Sequence, residues 1–161
     1  MIRLVGMLCL AAFLAAACGG GGSTVSRTTP APGGGATSAP GRASIQFSGT
    51  VSGDLGFQGM TCQPAGSANL LISISGTTGS AQYTIDIGAP RAGSYQLSTE
   101  GPANVELQQS RPSQRWSAGL GQAGGSGSLT IDERSGQVNG ELAGVQGAPG
   151  TVRVQGSWTC P

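Results

Sequence analysis

Toward its C-terminus the chain places Val152, Val154, Gly156, Trp158 and Cys160 at every second position, with polar residues between them. Successive side chains of a strand point to opposite faces, so a period of two marks a strand buried on one side. The same spacing runs through residues 45–51, 68–74, 83–87, 95–97, 105–107, 129–131 and 138–142. Between these segments lie turn-forming stretches: SGTTGS at 75–80, GAPRAG at 88–93, GPAN at 101–104, DERSG at 132–136 and GAPG at 147–150. No stretch keeps a helical period over a useful length. Short strands at such regular spacing predict an all-β domain, a single antiparallel β-sandwich or small barrel of about seven to nine strands.

Parity places individual residues. Cys160 shares a face with Val152, Val154 and Trp158, so its sulfur should point inward, while Arg153, Gln155, Ser157 and Thr159 face water. Phe47, Phe57, Tyr83, Tyr95, Trp116 and Trp158 are the only aromatic residues of this part of the chain. With so few large side chains a thin core is expected.

The N-terminal part has a different character. An apolar run from Leu4 to Ala17, broken only by Gly6, follows the single positive residue Arg3. It is shorter than the roughly 20 residues a membrane-spanning helix needs. A charged tip, a short apolar middle and small residues at the end have the form of a secretory signal. Here the small residues lead directly into a cysteine, in Leu14-Ala-Ala-Ala-Cys18, a sequence that resembles the bacterial lipobox. Residues 1–17 therefore read as a lipoprotein signal peptide, and Cys18 as the residue that carries the acyl chains (palmitate or similar). The alternative is an ordinary signal peptide that leaves a spare thiol. One buried acyl chain holds a protein only marginally, and two or three hold it firmly. The expected location is extracytoplasmic, anchored to the cell membrane by lipid.

Residues 18–43 are the lipidated cysteine and a linker of Gly, Ser, Thr, Pro and Ala. Without large apolar residues this segment cannot offset its ordering entropy, so a disordered tether is expected, with a reach of roughly 25–30 Å. Its Thr-Thr-Pro-Ala-Pro and Ala-Thr-Ser-Ala-Pro stretches have the composition of O-glycosylated stalks as well as of bare linkers. Residues 44–161 remain as one domain of ordinary size.

Cys9 leaves with the signal and Cys18 is acylated, which leaves Cys62 and Cys160. In an extracytoplasmic protein two such cysteines pair by default. Closing a loop of about a hundred residues stabilises by roughly 4.7 kcal/mol in the chain-entropy model. Two thiolates without histidine or close acids do not make a zinc cage, so no metal is expected.

Charge excludes several functions. The chain has no His and no Lys, and its eight Arg face seven acids. No basic field exists to draw nucleic acid. Without His for a general base, Lys for a Ser–Lys pair or a Gly-x-Ser-x-Gly elbow, an enzyme is not expected. No cofactor is expected either. Gly119-Leu-Gly-Gln-Ala-Gly124 matches a dinucleotide fingerprint, but Gly-Ser-Gly-Ser follows where a helix should open, so it reads as a glycine loop. Asp132 and Glu133 stand alone without a calcium-loop pattern and read as a solvated turn.

Two features keep a binding role open. The stretch Gly53–Met60 carries Leu55, Phe57 and Met60 among glycines. It reads as a strand end plugging the sandwich beside Cys62; alternatively it is an apolar loop that meets a lipid or protein partner. Trp116 has the same two readings, core packing or exposed recognition. Leu55, Phe57, Met60 and Trp116 are thus the candidate apolar contact residues.

The plan as a whole resembles the LpqH-type lipoprotein antigens of mycobacteria and related actinobacteria. The resemblance rests on the lipobox Cys18, the tether, Gly49-Thr-Val51, the stretch TCQPAGSANLLISI at 61–74 and the last strand ending in Trp-Thr-Cys160. It covers the two ends of the domain; residues 80–145 do not take part, and Trp158 departs from the pattern. It implies a surface-exposed, membrane-anchored β-rich domain with one disulfide, Cys62 to Cys160, and host receptors or adhesion targets among its partners. It brings no catalytic or ligand residues. The expectation is a cell-envelope lipoprotein whose β domain is a binding or surface-structural module, with an envelope protein, a host receptor or a hydrophobic ligand as partner. The alternatives are a carrier of lipid or another hydrophobic ligand, and a small secreted enzyme.

Overall fold

A computed structural model describes residues 41–56, 58–63, 69–122 and 124–161. The signal peptide, Cys18 and the tether up to residue 40 lie outside the described residues, as does Phe57.

Among the described residues the chain is all β, with eleven antiparallel strands in one continuous sheet. They are β1 (Arg42–Gly49), β2 (Gly53–Gly56), β3 (Gly59–Cys62), β4 (Leu70–Thr78), β5 (Ala81–Ala89), β6 (Gly93–Leu97), β7 (Asn104–Gln109), β8 (Gln114–Gly119), β9 (Ser126–Ile131), β10 (Ser135–Val145) and β11 (Thr151–Thr159). Each of the eight alternating segments falls on one of them. The count exceeds seven to nine because β2, β3 and β8 carry no alternation to announce them. The domain also begins earlier than residue 44: Arg42 and Ala43, placed in the tether by composition, pair with Thr159 and Trp158.

Two wings arise from one strand that changes partner. Gly136–Glu141 of β10 pairs with β9, and Ala143–Val145 of the same strand pairs with β8. One wing therefore runs β6-β9-β10-β11-β1-β2 and the other β3-β4-β5-β7-β8. On the far side the device is repeated in two successive strands: β2 stays with β1, and β3 pairs with β4. The Thr78 hydroxyl donates to the Asp54 carbonyl at 2.8 Å across this seam. The sheet is thereby curled into a half-barrel with its wings facing one another.

The inward residues of both wings fill the space between. Ile45, Leu55, Ile74, Ile85, Ile87, Leu107, Leu129 and Leu142 are fully buried, and the core is aliphatic rather than aromatic. The rings of Phe47 and Tyr83, from opposite wings, meet at 4.7 Å between centroids, tilted by 52°. Trp158 lies across Gly136, where a β-carbon would stand 2.2 Å from the indole ring. Cys62 and Cys160 form the expected disulfide, with α-carbons 6.1 Å apart. The chain enters the domain beside the same clasp, because Gly41 packs on Pro161.

Candidate functional site

Three of the four apolar contact residues read from the sequence, Leu55, Met60 and Trp116, are described, and none is exposed. Leu55 and Trp116 are fully buried, and Met60 is half-buried against the core. Trp116 donates its indole N–H to the Pro149 carbonyl at 3.0 Å, which fixes the β10–β11 turn to β8. Gly53 to Gly56 is an inner strand rather than a free loop, since it both pairs with β1 and touches β4. Leu55 and Trp116 therefore pack in the core, while Phe57 lies outside the described residues. The reason is local: β2 sits at the seam between the wings, where a side chain as large as leucine has core on both sides.

The glycine motif at 119–124 is also structural. Gly119 ends β8 with φ of 110°, and a β-carbon there would stand 2.1 Å from the Ala103 carbonyl oxygen. The next element is strand β9, so no helix offers its N-terminus to a phosphate. Asp132 and Glu133 lie exposed in the β9–β10 turn, where Asp132 Oδ1 accepts from the Glu133 N–H at 2.8 Å. Among the described residues no group of three or more acids or cysteines stands close enough to hold a metal ion.

What the sheet register does assemble is a polar face. On the six-stranded wing the outward residues align across strands into rows. One row reads Ser44, Ser157, Gln137, Thr130 and Ser94. The next reads Asp54, Gln46, Gln155, Asn139, Ser128 and Gln96. Strands lie about 4.8 Å apart and same-face neighbours about 6.7 Å apart, so the rows form a grid. A shallow depression of about 660 Å³ lies over its middle, lined by Ser44, Gln46, Ser128, Thr130, Gln137, Asn139, Gln155 and Ser157. Every one of these side chains is neutral. The formal charges surround it: Arg42 and Asp132 at one end, Glu141 and Arg153 at the other, and Asp54 on edge strand β2 beside Gln46.

These groups scarcely use one another. Among the described residues, side-chain hydrogen bonds on this face link only Gln155 to Gln46, at 3.4 Å, and Ser94 to Thr130, at 3.3 Å. The outward face of the other wing behaves differently. There the Gln108 amide donates to Asp86 at 3.2 Å and to Glu106 at 2.5 Å, and Arg115 pairs with Glu106 at 3.0 Å. The charged groups of that wing are paired with one another, whereas the first wing presents neutral groups with few mutual bonds.

The sequence reading marked Gln155 and Ser157 as solvent-facing but did not see a site there. The signal that could have found it is the polar half of the same alternation. Ser44, Gln46, Ser128, Thr130, Gln137, Asn139, Gln155 and Ser157 are all amides or hydroxyls in a chain otherwise able to use charge.

Compared with protein-family models, with curated proteins and with solved structures, the chain matches none of them.

Proposed function

We propose that the chain is a cell-envelope lipoprotein, held at the membrane by acyl chains on Cys18, whose β domain serves as a binding module. The anchor half of this reading rests on the sequence from Leu14 to Cys18 and on the resemblance to LpqH-type lipoproteins. The single observation that carries the binding half is the neutral face of the six-stranded wing, whose amides and hydroxyls, among the described residues, make only two hydrogen bonds with one another. The space between the wings is occupied by fully buried Ile45, Leu55, Ile74 and Trp116, which speaks against a carrier that holds its ligand there.

The test of the anchor is a membrane fractionation with mass spectrometry of the N-terminal peptide. The expected result is a diacylglyceryl-modified Cys18 in the membrane fraction, and release of Cys18→Ala to the soluble fraction. A soluble protein with an unmodified mature terminus would overturn the reading.

A further inference from the structure

We propose that the outer face of β6-β9-β10-β11-β1-β2 binds an uncharged polysaccharide, an inference that rests on the reading of the domain as an envelope binding module. The chemistry of the face selects this class. Gln, Asn, Ser and Thr each donate and accept hydrogen bonds, as sugar hydroxyls do. A charged side chain does only one of these, and the lining of the depression carries no charged side chain. A nucleic acid or an acidic glycan would need cations across the centre, where Gln155, Asn139 and Gln46 stand instead.

A protein partner fits less well. Protein interfaces draw their energy from a desolvated centre of aromatic, Met and Arg side chains. The lining of the depression offers no aromatic, Met or Arg side chain. The shape of the face suits a polymer: within a row hydrogen-bonding side chains follow one another at about 4.8 Å, so a chain of like sugars can meet several of them in succession. Without an aromatic platform each contact is weak, and retention comes from repeated contacts and from confinement of both partners to one surface.

The probe is the full mature lipidated chain, in a polyoxyethylene detergent that contains no sugar. It is passed over immobilised neutral polysaccharides (glucan, mannan, galactan) and over the polyanions alginate and pectate. Retention on at least one neutral polymer is expected, unchanged at high ionic strength because no charge pairing contributes. Substituting Gln46→Ala, Asn139→Ala and Gln155→Ala together should weaken it roughly tenfold or more, the loss of three hydrogen-bonding side chains. The near-isosteric Gln155→Glu, whose cross-strand partners Gln46 and Asn139 are neutral, should weaken it as well, with thermal unfolding unchanged. Gln82→Ala with Thr84→Ala, on the other wing, should leave retention as it was.

No retention on any neutral polymer sinks the inference, as does salt-sensitive retention on polyanions alone, or retention that ignores the face variants. Capture of an envelope protein by crosslinks placed at Asn139, without polysaccharide binding, replaces it. A lipidated chain that binds no polysaccharide removes only this inference. An unlipidated soluble chain removes the anchor reading instead, whatever the columns retain.

Discussion

Cys62 and Cys160 stand 98 residues apart in sequence and bond the end of β3 in one wing to the end of β11 in the other, strands that share no ladder. At the other end of the seam between the wings β2 pairs with β1 and touches β4, so backbone and side-chain hydrogen bonds hold it. At the Cys62 end β3 has left β1 for β4, and the disulfide takes over. The last strand is further pinned by the Cys160 N–H, which donates to the Arg134 carbonyl at 2.6 Å, and by Arg134, which donates to Pro161.

Reduction should therefore open the seam from that end. Closing a loop of this length removes about 4.7 kcal/mol of unfolded-state entropy, a large share of the roughly 5–15 kcal/mol that holds a domain. The melting temperature of the reduced protein, or of Cys62→Ser with Cys160→Ser, should fall by on the order of 15–20 °C. Calorimetry with and without reductant measures this; an unchanged transition with both thiols free would show that the ladders suffice alone.

Trp116 and Trp158 should report one folded environment. Their relative exposures are 0% and 3%, so acrylamide should quench neither in the native state and both in urea. Trp116→Ala should cost about 3–5 kcal/mol through the cavity it leaves. Trp116→Phe keeps much of the apolar surface but loses the bond to Pro149, and should cost less, about 1–3 kcal/mol. Urea midpoints at constant slope give both values. A native protein with one readily quenched tryptophan would mean that β8 is not held as described.

Much of this arrangement is legible in the sequence, and the exceptions have local causes. The alternation of residues 152–160 places Trp158 and Cys160 inside and Arg153, Gln155, Ser157 and Thr159 outside, as found. Alternation fails for β8 because Trp116, Ser117, Ala118 and Gly119 are all buried. It fails for β2 and β3 because glycines and a change of partner divide a single extended run into two strands. The polar face is visible strand by strand, but its rows depend on register across six strands, and only the folded sheet brings Gln46 beside Gln155 and Asn139.

A filled interior has a consequence for lipid. The Cys18→Ala protein should carry no hydrophobic molecule, since Ile45, Leu55, Ile74 and Trp116 already occupy the space between the wings. Native mass spectrometry checks this directly: the expected mass is that of the chain alone. A stoichiometric lipid adduct surviving in the Cys18→Ala protein would revive the carrier reading.

The glycines at 119 and 121 look equivalent in sequence and should behave very differently. Both have positive φ, 110° and 70°. At Gly121 nothing lies within 4 Å of where a β-carbon would be, so Gly121→Ala should cost only the left-handed backbone, about 1–2 kcal/mol. At Gly119 the added carbon would stand 2.1 Å from the Ala103 carbonyl oxygen and 2.7 Å from the Asn104 α-carbon. That oxygen accepts the Leu120 N–H at 2.9 Å, so it cannot withdraw without losing the bond. Gly119→Ala should therefore cost more than about 3 kcal/mol, by steric conflict with backbone added to conformational strain. Denaturant titration of the two variants separates the cases. Equal losses would mean that Gly119 serves only to turn the chain, and that β7 and β8 are not as closely joined at this end as the register from Asn104 to Gly119 requires.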